Sequence, residues 1–172
     1  MTTRAAQQMR SYFTAPVEKR LETARRLHCR HGRELGRDLV IRSFLDRTAR
    51  AADELGQHML AMDMGRRCSA CAARTGGGCC SAVMADNSDA ILLLINMLLR
   101  GTVKERATST ECRFLGQGGC TLAIKPIFCL NYNCGQIRDA ATEGEMEKLE
   151  HLAGRLLGVQ TELESLLLER LG

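Results

Sequence analysis

The sequence predicts a mainly α-helical fold, a helical bundle with a small cysteine-rich loop module inserted between its helices. Three observations lead to this prediction. Aromatic residues make up only 3% of the chain while apolar residues make up 45%, so the core must be aliphatic, and Leu, Ala and Met favour helices. Only Pro16 and Pro126 interrupt the chain, and eight of the nine cysteines fall in two blocks, 68–80 and 112–134. A length of 172 residues suggests one domain, 1–172.

Residues 1–64 are predicted to form the N-terminal helices. Apolar residues recur there at three- and four-residue spacing, the period of a helix with one buried face. We expect Gly32 or Gly36 to divide this segment into two helices. The pattern is carried by Leu21, Ala24, Leu27, Leu35, Leu39, Phe44, Leu45, Leu55 and Met59.

Residues 65–135 are predicted to form the cysteine-rich module, which is loop-like apart from one central helix. That helix, 88–100, should begin with Ser88 as its N-cap and stop at Gly101. Its run of Ile and Leu is apolar on nearly all sides, which is typical of a buried helix. A short strand is expected at 121–124, ended by Pro126.

Residues 140–171 are predicted to form one long amphipathic helix. Leu149, Leu152, Leu156, Val159 and Leu163 alternate at three- and four-residue spacing. This stripe is close to three heptads, the lower limit for a coiled coil. It is expected to pack on the N-terminal helices of the same chain, and the alternative is the seam of a homodimer.

Charge and hydropathy limit the partners that the chain can have. Residues 1–50 carry a balance of +7 and residues 139–172 a balance of −5. Because no aromatic platform or nucleic-acid motif accompanies the basic part, we expect basic and acidic helices to face each other or solvent, and no nucleic-acid partner. The start of the chain lacks a signal peptide's apolar stretch, and the run 90–99 is about half of a bilayer span. A cytoplasmic protein with no membrane partner is therefore expected.

The cysteines are the candidate ligands of a metal. Cys68 and Cys71 form a Cys-x-x-Cys pair that can direct two sulfurs to one ion. Four thiolates suit a tetrahedral zinc ion or an iron–sulfur cluster, and nearby Lys125, Arg74 and Arg113 could offset thiolate charge. We predict zinc or an iron–sulfur cluster, [4Fe-4S] if iron, because reduced cytosolic cysteines are seldom disulfide-bonded. The eight candidate ligands are Cys68, Cys71, Cys79, Cys80, Cys112, Cys120, Cys129 and Cys134.

The second cysteine block resembles a known family. It reads C-x-F-L, then G-C, then K-P-x-x-C and a final Cys between Cys112 and Cys134. With the first block, this is similar to the YkgJ-type zinc- or iron-chelating domain, whose members include iron–sulfur proteins and relatives of flagellin lysine N-methylase. The resemblance covers about residues 68–134 and implies that the eight cysteines are metal ligands. The family has a shorter spacer than 72–78 before its adjacent cysteine pair.

The spacer leaves alternatives open at Cys79 and Cys80. It could loop out without moving the ligands, or it could change which of the two adjacent cysteines binds. Adjacent side chains diverge, so the pair could also serve two sites instead of one. The sequence leaves zinc or iron–sulfur, and one site or two, undecided.

Three function classes are consistent with these cysteines. The first is a metal-binding protein whose centre is structural or serves metal handling or electron transfer. The second is a zinc- or cluster-dependent enzyme, an oxidoreductase or a methylase-like modifying enzyme, which would need a substrate pocket beside the cysteines. The third is a thiol/disulfide redox protein. The ninth cysteine, Cys29, is expected to pack as a small apolar residue on a helix.

Overall fold

The computed structural model describes residues 4–76, 78–106 and 110–172, with side chains from Ala6 onward. In its first part, helix α1 (Arg4–Met9) continues into a π-helical turn (Arg10–Thr14) and is followed by α2 (Val17–Leu35), α3 (Leu39–Ala61) and α4 (Met64–Ala72). The middle part contains α5 (Ala82–Ala85), α6 (Ala90–Arg100), β1 (Leu115–Gly116) and β2 (Gly119–Cys120). The last part contains α7 (Ile127–Asn131), α8 (Gly135–Arg138) and α9 (Glu143–Leu171). The predicted mainly helical fold is confirmed.

Four long helices build the core. α9 packs along α3, and α2 packs along α6, which also contacts α3 and α9. The leucine stripe of α9 is buried in this packing, so the prediction that it covers helices of its own chain is confirmed. The leucine spacing placed α9 correctly. A capping box formed by Thr142 and Glu145 fixes the start of the helix.

Helix α6 is the buried centre of the bundle, as its apolar sequence predicts. Every residue from Ala90 to Met97 is buried. The predicted N-cap was wrong: Asp89, not Ser88, caps the helix, and its carboxylate accepts hydrogen bonds from the backbone N–H groups of Ile91 and Leu92, both at 2.8 Å. Asp competes well with Ser at this position because its carboxylate also complements the helix dipole.

The region 65–135 is less loop-like than predicted. Cys68 and Cys71 lie on α4, a helix that follows α3 after Asp63, which has a left-handed φ of 55°. The predicted strand at 121–124 is also wrong. The strands are instead β1 and β2, an antiparallel hairpin in which Leu115 pairs with Cys120.

Opposite charges on the N-terminal and C-terminal helices face each other in part. Arg47 on α3 pairs with Glu162 on α9 at 3.7 Å, and Arg170 pairs with Asp38 at 3.1 Å. These contacts account for some of the charge asymmetry of the sequence. Among the described residues, no helix combines the length and the apolar character needed to cross a bilayer.

Candidate metal centre

The candidate centre lies where α4, the β hairpin, α7 and α8 meet. Seven of the eight predicted cysteines line one cavity of about 100 Å³. They come from six separate places in the chain, so tertiary contacts must assemble them. The seven are Cys68, Cys79, Cys80, Cys112, Cys120, Cys129 and Cys134.

Two glycines bring α4 against the hairpin. A Cβ atom at Gly65 would lie 2.1 Å from the carbonyl oxygen of Gly118, and one at Gly119 would lie 2.7 Å from the Cα of Gly65. Gly119 also has a φ of 108°, a backbone conformation that residues with a Cβ atom rarely adopt. Cys68, one turn along α4 from Gly65, is thereby placed near Cys120 on β2.

Ser69, the residue that follows Cys68 on α4, fastens the same contact. The Ser69 hydroxyl lies 2.9 Å from the carbonyl oxygen of Gly116 on the hairpin and 3.0 Å from that of Gly65. A hydroxyl carries one donor hydrogen, so it serves one of these carbonyls at a time. The position of Cys68 therefore depends on glycines and a serine that no metal-ligand motif includes.

A second backbone contact joins the two cysteine blocks. The backbone N–H of Cys112 donates a 2.8 Å hydrogen bond to the carbonyl oxygen of Cys80. Ser81 and Glu111 form an isolated antiparallel bridge beside it. Cys80 and Cys112, which are 32 positions apart in the sequence, are therefore held next to each other by strand-like pairing.

The buried side chain of Asn96 holds the segment that follows the hairpin. Its amide oxygen accepts hydrogen bonds from the backbone N–H groups of Ala123 at 2.7 Å and Ile124 at 3.2 Å. Its amide nitrogen donates to the carbonyl oxygens of Ile124 and Leu92. Sequence reasoning missed this residue, although a single Asn within the apolar run of α6 could have indicated it, since a buried amide needs partners.

We expect Asn96→Ala to destabilise the protein by about 2 kcal/mol, because two buried backbone N–H groups lose their acceptor. The segment that carries Lys125 to the cavity should become more mobile. Urea unfolding of the variant, and hydrogen exchange at Ala123 and Ile124, would measure this. Unchanged stability and unchanged exchange at these two amides would contradict the role given to Asn96.

The cavity is lined by soft and apolar groups. Besides the thiols, it is bounded by Met59, Met64, Met84, Leu115, Phe128 and Ile137, and none of the described residues contributes a carboxylate or histidine to the lining. Leu115 and Phe128 belong to this apolar lining, whereas the neighbouring Ile127 is 61% exposed. Thiolates are the ligands that zinc and iron–sulfur clusters prefer, whereas magnesium and calcium prefer oxygen. The donor set therefore fits the predicted metals.

The thiols surround the cavity without converging on one point. Within the described ranges 4–76, 78–106 and 110–172, no group of three or more His, Cys, Asp or Glu side chains is arranged to hold a metal ion. Binding would therefore require the cysteine side chains to turn inward.

Two stacked aromatic rings form part of the cavity lining. Phe128 and Tyr132, one turn apart on and just after α7, are stacked with centroids 5.4 Å apart and an interplanar angle of 12°. Both line the cavity, and they are 46% and 51% exposed.

Among the described residues that line the cavity, Lys125 is the one cation. Its Nζ donates to the sulfur of Met59 at 3.8 Å, and none of the ion pairs found among the described residues involves it. The other two predicted cations lie elsewhere: Arg74 is exposed and outside the cavity, and Arg113 pairs with acidic side chains, including Glu105 at 2.9 Å. Lys125 is therefore the residue placed to offset thiolate charge.

Hydrogen bonding and burial separate the pKa values of the thiols. The pKa of Cys68 is lowered to about 7, chiefly because the Cys80 thiol donates a hydrogen bond to it, and Lys125 adds attraction. The same hydrogen bond is the largest cause that raises the pKa of Cys80, and burial is the second. Burial raises the pKa of Cys129 to about 12 and also raises that of Cys112. Without metal, Cys68 therefore ionises more readily than Cys80, Cys112 and Cys129, and metal binding would release protons from these three.

Two further thiols have raised pKa values. Burial, followed by the negative charge of Cys68, raises the pKa of Cys79. Cys120 is exposed as a residue, yet desolvation is the largest cause that raises the pKa of its thiol. Cys120 also lines the cavity.

In metal-free, reduced protein, we expect alkylation of Cys68 to increase with pH through about 7, because the thiolate is the reactive form. Cys129, with its pKa near 12, should react far more slowly at neutral pH. Iodoacetamide labelling with peptide mapping, in a Cys29→Ser background, would measure both. Cys80→Ala should slow the labelling of Cys68, and equal reaction of Cys68 and Cys129 at neutral pH would contradict the assignment.

Two cysteines stand apart from the cavity. Cys71 does not line it, and its sulfur lies 2.8 Å from where a Cβ atom at Gly78 would be. Gly77, in the spacer between Cys71 and Cys79, lies outside the described residues. Cys29 is exposed on α2, so the prediction that it packs as an apolar residue was wrong, while its separation from the other eight is as expected.

Comparison with known proteins adds no relative. No family model, no curated protein and no solved structure matches the chain. The similarity to the YkgJ-type domain therefore stays a prediction from the cysteine pattern.

Proposed function

We propose that this protein binds an iron–sulfur cluster through cysteine thiolates at the cavity between α4, the hairpin, α7 and α8. The observation that supports the proposal is that seven of the eight predicted cysteines, distant in sequence, line this single cavity. The fold brings these seven thiols from six places in the chain to one space. A shared ligand explains the arrangement.

The size of the cavity favours a cluster over a single zinc ion. One water needs about 10–15 Å³ of such volume, and this cavity has about 100 Å³. A zinc ion with four thiolates at about 2.3 Å fills its own coordination sphere and needs no further space. A cluster is larger, binds through four cysteines and is stabilised by apolar surroundings.

The chain's own groups would support such a centre in three ways. Four of the seven cysteines that line the cavity would hold it: Cys68, Cys79, Cys80, Cys112, Cys120, Cys129 and Cys134 are the candidates. Lys125 would offset the negative charge of the thiolates. The apolar side chains and the Phe128–Tyr132 stack would limit access of water, and burial and charge of this kind set a cluster's reduction potential.

When bound, the cluster would supply one-electron chemistry, or it would stabilise the fold around it. Electron transfer or metal handling is the role that we propose. A structural zinc site is the alternative, and it would use the same cysteines.

Protein purified without oxygen tests the proposal. We expect iron and acid-labile sulfide in similar amounts, with a visible charge-transfer absorption that bleaches on reduction. Zinc alone in a colourless protein would contradict the cluster and support the alternative, a structural zinc site. Neither metal, with all thiols oxidised, would support a disulfide protein and overturn the proposal.

A further inference from the structure

A groove beside the cysteine cavity is the feature that the proposed centre does not explain. It has a volume of about 500 Å³ and lies between the second half of α3 and the segment 118–125. This volume is within the range of small-molecule sites, about 300–1,000 Å³. It shares Met59, Gly65, Gly119, Cys120 and Lys125 with the cavity. An enzyme acting through these cysteines would need a pocket at such a position.

The charges of the groove leave one cation unpaired. At its rim, Arg100 pairs with Asp53 at 3.2 Å, and Arg66 pairs with Asp63 at 3.0 Å. Lys125 has no carboxylate partner among the ion pairs of the described residues. A groove of this composition would attract one negative charge to its inner end, next to Cys120.

The remaining lining of the groove is suited to the organic part of a ligand. Ala52, Met59, Leu60 and Leu122 provide apolar surface, and Leu60 is 79% exposed. A phosphate is commonly held by several charged donors or a bidentate Arg, whereas the arginines here already pair with aspartates. One available ammonium group beside apolar walls fits a carboxylate with a short hydrocarbon body.

We propose that this groove binds a small organic carboxylate, with its carboxylate at Lys125 and its hydrocarbon part along α3. The ligand would lie at the wall that the groove shares with the cysteine cavity. The purpose of the site rests on the proposed metal centre, but the binding itself needs only the side chains of this chain. A ligand at this wall is what separates an enzyme from a simple electron carrier.

Gly56 allows the groove to be blocked without touching a cysteine. It lies in α3 and lines the groove, and a Cβ atom built there meets nothing within 4 Å. Gly56→Tyr should fill the groove, and Gly56→Ala is the matched control, which should also strengthen α3 because Ala is the better helix former.

The test uses ligand-observed NMR on the protein as purified, with butyrate, pentanoate and 3-phenylpropionate, each compared with its uncharged amide. We expect at least one carboxylate to bind about tenfold more tightly than its amide, a preference that salt weakens. Gly56→Tyr should weaken this binding by about tenfold or more while Gly56→Ala retains it. Helical circular dichroism should be unchanged in both variants.

Two outcomes would overturn the proposal. The first is that none of the three carboxylates binds better than its amide. The second is that the Gly56→Tyr and Gly56→Ala variants bind the carboxylate equally well. Metal content is measured on the same samples, so the two proposals are judged separately. Carboxylate binding without bound metal would contradict the proposed metal centre and support the proposed groove site. Bound metal without carboxylate binding would support the metal centre and contradict the groove site.

Discussion

Replacing Gly65 by alanine is expected to cost about 3 kcal/mol and to remove most of the bound metal. The new methyl group would lie 2.1 Å from the carbonyl oxygen of Gly118, far inside van der Waals contact. The neighbouring atom belongs to the backbone, so α4 or the hairpin must shift, at a cost near the upper end of overpacking. That shift would separate Cys68 from Cys120 and weaken the centre that both help to form.

Gly118→Ala is the matched control for this prediction. Gly118 lies in the same hairpin, and a Cβ atom built there meets nothing within 4 Å. We expect it to keep stability and metal content close to those of the unmodified protein. Urea unfolding and metal analysis of both variants measure the effect, and a Gly65→Ala protein that keeps its metal would show that the α4–hairpin contact does not position the ligands.

Cysteine substitutions are expected to have the second large effect. Cys112→Ser and Cys120→Ser each remove a thiol from the cavity, and a hydroxyl is a poor ligand for soft metals. We expect metal affinity to fall by more than about tenfold, since even supporting partners of metal ligands contribute 10- to 100-fold. Thermal stability should fall with it, because metal binding and folding are coupled.

Cys29→Ser and Cys71→Ser set the limits of this prediction. Cys29 is exposed on α2, away from the cavity, so its replacement should change neither metal content nor stability. Cys71 lies outside the cavity lining, so its replacement should cost less metal than Cys68→Ser. Equal losses for Cys71 and Cys68 would mean that α4 turns on metal binding, and loss in the Cys29 variant would contradict the site.

Local patterns explain why much of the fold could be predicted. α9 has a regular leucine stripe and a capping box that begins with Thr142, and both are encoded within one stretch of sequence. α6 is apolar nearly throughout and ends at Gly101, whose φ of 77° stops it. α2 likewise ends at one of the two glycines expected to divide the N-terminal helices, Gly36.

Contacts distant in sequence explain what could not be predicted. α4 contains glycine and two cysteines and was predicted as loop, yet its position depends on a contact between Gly65 and Gly118, 53 residues apart. The segment 121–124 has strand-like composition, but the side chain of Asn96, not a neighbouring strand, takes its hydrogen bonds. Tertiary contacts overrode local preference in both cases.

The candidate site was predicted as a list of residues and not as an arrangement. Cysteine spacing selected eight residues, seven of which line one cavity. It did not indicate that Cys71 would lie apart or that Arg113 would pair with Glu105 and leave Lys125 as the cation of the cavity. These distinctions depend on side-chain directions, which spacing alone does not give.

X-ray absorption at the iron and zinc edges, on protein purified without oxygen, tests whether thiolates of this cavity hold a metal. We expect a sulfur-only first coordination shell at about 2.3 Å, the usual metal–thiolate distance, together with iron–iron scattering from a cluster. Cys120→Ser should alter that shell, and Cys29→Ser should leave it unchanged. A shell dominated by oxygen or nitrogen, or the same shell in the Cys120→Ser variant, would contradict a thiolate-bound centre in this cavity.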